Sequence, residues 1–209
     1  DVMTYYSSGP QTGYLQSQIV DSGGFELSTT YEYDTVGNVV RTIDARGNDT
    51  LVTLNSLNQV VREASRAVSA FSGLVRYERD LFYDANNNVV RVDTQNRDDT
   101  GAIVVSNPAF TTTSAYDILD DALSNSQEVD ATANIVTAYA FDANQNRVLT
   151  RFGQATSGAD PFNINRTLYD ERDLVFREIR AESSPDQSTT QYDYDRNGNV
   201  LAASQGIES

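Results

Sequence analysis

The sequence predicts an all-β protein: consecutive antiparallel β-hairpins forming one curved, spiralling sheet. Three observations lead there. A short unit recurs seven times along the 209 residues: an aromatic residue, an acid, two variable residues, a turn residue, a polar residue and an apolar pair. The acids stand 21, 29, 33, 25, 28 and 25 residues apart, which fits two short strands and two turns per unit. Apolar content is 39%, and much of the polar remainder is Asn, Asp, Ser, Thr and Gln, which suits turns and solvated strand faces.

In chain order, residues 1–30 read as a degenerate leading hairpin, with turns near Ser8-Gly9-Pro10 and Asp21-Ser22-Gly23-Gly24. Residues 31–209 form the repeat array, continuous with the leader as a single domain. Return turns between units fall at Asp44-Ala45-Arg46-Gly47-Asn48, Asp98-Asp99-Thr100-Gly101, Asp130-Ala131-Thr132-Ala133-Asn134 and Ser184-Pro185-Asp186. The sum is about 16 short strands and almost no helix. A helical turn is plausible only at residues 65–72 and 117–124. The chain starts at Asp1 without an initiator Met or a signal peptide and reads as an excerpt of a longer polypeptide.

Each position of the unit has a physical role. The acidic position reads Asp34, Asn55, Asp84, Asp117, Asp142, Asp170 and Asp195, an acid in six copies and its amide in the second. It suits the first position of a type I turn, where its side chain accepts hydrogen bonds from amides further round. The preceding residue, Tyr33, Leu54, Tyr83, Tyr116, Phe141, Tyr169 or Tyr194, ends the incoming strand. Three residues after the acid come Gly37, Asn58, Asn87, Asp120, Gln145, Asp173 and Gly198. That position must turn left-handed and form a bulge, and Gln145 suits it least. Asn38 and Asn199 follow in the first and last copies. Val39-Val40, Val60-Val61, Val89-Val90, Val175-Phe176 and Val200-Leu201 start outgoing strands, and Arg147-Val148 departs from the pattern. Arg41, Arg62, Arg91 and Arg177 recur seven residues after the acid, where an arginine can pair across strands or cover apolar surface with its stem.

Tyr33-Asp34-Thr35-Val36-Gly37-Asn38, Tyr83-Asp84 with Asn88-Val89-Val90-Arg91, and Tyr194-Asp195-Arg196-Asn197-Gly198-Asn199 resemble the YD-repeat, or RHS-repeat, family. The resemblance covers residues 31–201. It implies a strip of hairpins that coils into a hollow shell, as in Rhs toxins, the cocoon of insecticidal toxin complexes and teneurins. In the bacterial members the shell encloses a C-terminal toxic polypeptide. The family's autoproteolytic Asp lies in a Pro- and Gly-rich segment, which this sequence lacks, so no catalytic residue carries over.

The residue inventory excludes several chemistries. Net charge is −15 and every basic residue is Arg, without the clustered positive charge of a nucleic-acid or membrane-surface patch. No apolar run approaches the roughly 20 residues of a membrane span. Without Cys or His there is no thiolate site, no imidazole base and no pH switch near neutrality. No nucleophile elbow, P-loop or dinucleotide fingerprint is present, and nothing singles out two carboxylates as an acid pair. The expectation is a non-enzyme without cofactors. Two sequons, Asn48-Asp49-Thr50 and Asn165-Arg166-Thr167, read as coincidence in a chain this rich in Asn and Thr.

Two binding readings compete with plain turn chemistry. Asp84, Asn86 and Asn88, Asp142, Asn144 and Asn146, and Asp195, Asn197 and Asn199 place oxygens at alternate positions, like the start of a calcium loop. Neither the Gly at position 6 nor the bidentate Glu at position 12 follows, and turn capping explains every position. The repeated aromatics could stack sugars, but they recur with the fold's own period, as a packing stripe would. The sequence thus points to a structural shell segment, secreted or at the cell surface, whose partners are neighbouring repeats and an enclosed polypeptide. The alternative is an adhesin-like module for glycan or protein. A β-propeller or β-helix would repeat at more regular lengths.

Overall fold

The computed structural model of the chain describes residues 1–71 and 73–208. It is nearly all β. The strands are β1 (Val2–Tyr5), β2 (Leu15–Val20), β3 (Leu27–Tyr33), β4 (Val39–Ile43), β5 (Asp49–Leu54), β6 (Val60–Ala64), β7 (Val68–Ala70), β8 (Gly73–Val75), β9 (Glu78–Tyr83), β10 (Val89–Gln95), β11 (Ala109–Tyr116), β12 (Ala122–Asp130), β13 (Ala133–Phe141), β14 (Arg147–Arg151), β15 (Ile164–Tyr169), β16 (Val175–Arg180), β17 (Ser188–Tyr194) and β18 (Val200–Gln205). One short helix, α1 (Gly153–Ser157), lies between β14 and β15. Sixteen strands hydrogen-bond antiparallel in chain order, with β9 following β6, while β7 and β8 pair with each other. Strand order therefore equals sequence order, as a run of hairpins requires.

The chain falls into two compact units. One comprises Asp1–Tyr83 with Arg91–Thr111; the other comprises Asp84–Val90 with the residues from Thr112 onward. In the first, Val-rich β4 and β6 follow tight turns and each pairs back on the strand before it. Cross-strand neighbours match in charge: Glu32 faces Arg41 with a 2.9 Å ion pair, and Arg62 faces Asp80. In the second, the β12–β13 and β15–β16 ladders run the same way, and Arg177 faces Gln191 across β16 and β17. Arg91 stacks over Phe82 at 5.1 Å, so a recurrent arginine also covers an aromatic face.

Neither unit closes over a two-sided core. Among the described residues the buried ones are Ala64, Gly101, Asp49 and Thr189, so Ala64 is the one buried apolar side chain. The exposed surface is 13550 Å². A compact monomer of this mass exposes about 9,600 Å². The excess, about 4,000 Å², is what a sheet shows when no second layer covers it.

Two local expectations are corrected. Residues 117–124 form a hairpin turn and enter β12 instead of turning helically. Residues 65–71 run extended into β7 and a turn; Ser72 lies outside the described residues. Ser65 could cap a helix, but its Oγ accepts from Tyr77 N at 3.0 Å, and Val68 and Gly73 suit a strand and a hairpin bend. The helix forms instead at Gly153–Ser157, ending at Gly158 with φ 80°. Gly158 supplied the sequence signal, as a left-handed C-terminal glycine.

Candidate functional site

The recurring turns share one geometry. The amide of the acid donates to the carbonyl four residues on, from Asp34 N to Asn38 O at 2.9 Å through Asp195 N to Asn199 O at 2.9 Å. The residue three after the acid donates back to the acid's carbonyl, closing a type I turn. That residue has positive φ in all seven copies: 98° at Gly37, 60° at Asn58, 73° at Asn87, 65° at Asp120, 66° at Gln145, 59° at Asp173 and 82° at Gly198. Gln145 therefore adopts the strained conformation despite its poor intrinsic fit. The ladder register shifts at the residue before the turn, Tyr33, Leu54, Tyr116, Phe141, Tyr169 and Tyr194, which marks the bulge.

The acid's side chain cements the loop. In the first copy Asp34 Oδ1 accepts from the amides of Val36 and Asn38, and Oδ2 accepts from Asn38 Nδ2 at 3.0 Å. Asp44 and Asp98, in the return turns, accept amides in the same way. These donors favour the ionised acid. The Asn38 side chain and amide hold Asp34 below the usual carboxylate range; the Asn88 amide does so for Asp84, the Asn146 amide for Asp142, and the Asn199 side chain for Asp195.

Tyrosine hydroxyls fasten one hairpin to the one before. Tyr33 Oη donates to Leu15 O at 2.8 Å, Tyr83 Oη to Val60 O at 2.8 Å, and Tyr116 Oη to Val89 O at 3.3 Å. Tyr169 Oη reaches Arg147 O at 3.4 Å and Tyr194 Oη reaches Val175 O at 2.6 Å. From the second of these onward the acceptor is the fifth residue after the previous unit's acid, the first residue of an outgoing strand. Leu54 and Phe141 have no hydroxyl and cannot make this bond. The ring is thus a packing element and its polar tip a staple.

A second fastening runs along the turns. Asn38 Nδ2 donates to Asn58 Oδ1 at 2.8 Å. Asn88 and Asn86 both donate to Asp120 Oδ1, at 2.7 and 3.1 Å. Asn146 and Asn144 both donate to Asp173 Oδ1, at 2.8 and 3.0 Å. The turns of Asp34, Asp84 and Asp142 are donors, and the turns that follow them are acceptors. The sequence carries the alternation at the fourth residue after the acid: Asn38, Asn88, Asn146 and Asn199 in one class, Gln59, Asp121 and Leu174 in the other. Aligning all seven units as equivalent hides it. Between Asp170's turn and Asp195's, Arg172 Nη1 donates to Asp195 O at 3.0 Å.

The residues with calcium-like spacing sit in this network. Asp84 Oδ1 and Asp142 Oδ1 each accept two backbone amides, and the amide groups of Asn86 and Asn88 donate to Asp120 and those of Asn144 and Asn146 to Asp173. Asp195 likewise accepts from Asn197 N and Asn199 N. Among the described residues, no group of three or more Asp or Glu side chains is placed to hold a metal ion. No helix there is long and apolar enough to cross a membrane. Open clefts of about 350 Å³ beside Thr50, Glu63 and Tyr77, about 420 Å³ beside Tyr139, Phe141 and Tyr169, and about 590 Å³ beside Phe162, Asn165, Arg180 and Asp186 line the strands; Ser65 Oγ in the first donates to Arg66 O, and Ser184 Oγ in the last accepts from Asp186 N.

Sequence reasoning missed one further cluster. Asp49 is buried and its Oδ2 accepts from Arg41 Nε at 2.9 Å and Arg76 Nη2 at 2.8 Å. Arg76 also donates to Ser65 O at 2.7 Å, so the cluster pins both ends of the β7–β8 excursion. Nothing local in the sequence links residues 49 and 76.

Fold and turns together define a class by architecture: an array of antiparallel β-hairpins, fastened turn to turn, with the fold of a β-shell segment. Solved structures of that kind are similar to it. The crystal structure of TcdB2-TccC3-TEV matches with a TM-score of 0.66 and 14% identity, over 91% of this chain and 10% of that one. TcdB2-TccC3 without its hypervariable C-terminal region matches with a TM-score of 0.51 and 12% identity, over 99% of this chain and 11% of that one. The chain spans about a tenth of the length of either. No protein-family model matches the sequence, and no curated protein does.

Proposed function

We propose that this chain is a length of shell wall in a larger secreted or surface protein, and that the wall encloses a polypeptide carried by the same molecule. The observation that carries the reading is the single layer: a latched sheet with about 4,000 Å² more exposed surface than a compact chain of its mass. Such a sheet is incomplete as a globule but suited to separating two spaces. The role is mechanical and contains no catalytic step. The likeness to TcdB2-TccC3 chains supports it, because one of those proteins is described with a hypervariable C-terminal region, the place a varying cargo would occupy.

A glycan-binding module draws less support. Tyr33, Tyr83 and Tyr194 are half-buried, and their hydroxyls are committed to backbone carbonyls.

Protease protection in the full-length gene product tests the proposal. The polypeptide downstream of the repeats is expected to survive digestion while the array is folded. It is expected to be cut when Asp84→Ala and Asp142→Ala weaken the turns. A gene product with no domain after the repeats, or a downstream domain cut equally fast in both cases, overturns it.

A further inference from the structure

The donor and acceptor turns alternate, and the last turn is a donor. Asp195's turn carries Asn197 and Asn199 where Asp84's carries Asn86 and Asn88 and Asp142's carries Asn144 and Asn146. Asn199 Nδ2 donates to its own Asp195 Oδ2 at 2.9 Å, as Asn88 and Asn146 do to their acids. An amide nitrogen has a second hydrogen. In Asn88 and Asn146 that hydrogen goes to Asp120 and Asp173; among the described residues Asn199 makes no such bond, and the Asn197 side chain makes none. Beside this turn β18 is exposed along its whole length and stands last in the sheet order, so one side of its backbone is unpaired. Val200 occupies the position whose carbonyl receives a tyrosine hydroxyl at Val60, Val89, Arg147 and Val175.

We propose that the β18 edge is a selective docking site for a hairpin whose turn reads Tyr-Asp-x-x-Asp. The incoming strand pairs with β18, its Tyr hydroxyl donates to Val200 O, and the last Asp accepts from Asn197 and Asn199. Two turns of this chain have that sequence, Tyr116-Asp117-Ile118-Leu119-Asp120 and Tyr169-Asp170-Glu171-Arg172-Asp173, and each is held in this way by the donor turn before it. Aspartate is preferred at the acceptor position for a physical reason. Where two asparagines converge the acceptor is Asp120 or Asp173, a carboxylate; where Val36 replaces the second donor the acceptor is the neutral Asn58. A turn with Gly there offers no oxygen. The inference does not require that anything be enclosed: an open array would obey the same rule.

The probe is a backbone-cyclised peptide of residues 109–130, titrated into the whole chain and followed by amide hydrogen exchange. Exchange in Val200–Gln205 is expected to slow with bound peptide. Peptide Asp120→Gly, or chain Asn197→Ala with Asn199→Ala, is expected to bind about tenfold more weakly. Equal binding of the Asp120→Gly peptide, protection at β1 in place of β18, or no protection by a peptide shown to be folded overturns the proposal. A measurement inside the chain guards against a misfolded probe. Asp173→Gly keeps the turn's backbone conformation accessible and is expected to speed exchange in β15; unchanged exchange there overturns the latch itself.

Discussion

Gly37→Ala offers a sharp test of how the turns are packed, because Gly47 provides a control. Both glycines have positive φ, 98° and 79°. An alanine forced into that region costs about 1–2 kcal/mol. At Gly47 nothing lies within 4 Å of the added carbon, so the backbone term stands alone. At Gly37 the added carbon would meet Tyr14 Oη at 2.8 Å and Cζ at 3.2 Å. Tyr14 must move, and its ring sits 5.0 Å from that of Tyr33. Losing an aromatic contact adds about 0.5–1.5 kcal/mol. Gly37→Ala should therefore cost about 1 kcal/mol more than Gly47→Ala, because the backbone cost is common to both and the aromatic range alone remains. Urea unfolding followed by far-ultraviolet circular dichroism measures both, compared at equal m-value. In a Tyr14→Ala background the extra loss should vanish. If the two substitutions cost the same in the native background, or the difference survives Tyr14→Ala, the packing argument fails.

Further outcomes are expected. Tyr83→Phe and Tyr194→Phe each remove one staple and should lose about 0.5–1.5 kcal/mol in urea unfolding, while Phe141→Leu, which removes no hydroxyl, should leave local exchange in β12 unaffected by any lost hydrogen bond. The turn carboxyls of Asp34, Asp84, Asp142 and Asp195 have folded values below their unfolded ones, so their contribution is complete above about pH 4 and is lost as pH falls through the lower folded values. Melting temperature should hold from pH 6 to 4 and then fall; a fall that starts above pH 5 would contradict this origin. Asp49→Ala removes one bond from each of Arg41 and Arg76, which keep Glu32 and Ser65 O, and should cost about 1–2 kcal/mol, at the low end for charged bonds because both arginines reach solvent. Trypsin should then cut the β7–β8 excursion faster than in the native chain, and an unchanged rate would show that Asp49 does not pin it.

The turn grammar was legible in the sequence because it closes within five residues. Asp34 to Asn38 is long enough for a type I turn, a bulge and three side-chain bonds, and each depends on local conformational preference. Even so, Gln145 shows propensity yielding: the ladder on either side forces it to φ 66°. The helix was misplaced because five residues carry too little periodicity to be read. The latches were not legible as contacts, although their residue types stood in plain view. Asn88 and Asp120 are 32 residues apart, Asn146 and Asp173 27, and Arg76 and Asp49 27.

By itself, then, the sequence determined the hairpins, their order and their turn conformation, since these follow from backbone preference and strand alternation over short spans. Only the tertiary structure decided that donor turns alternate with acceptor turns, that each tyrosine hydroxyl serves the preceding hairpin, and that β18 ends on an unmatched donor. Those facts depend on register between strands of different units. A slip of one residue would turn every one of these side chains to the opposite face.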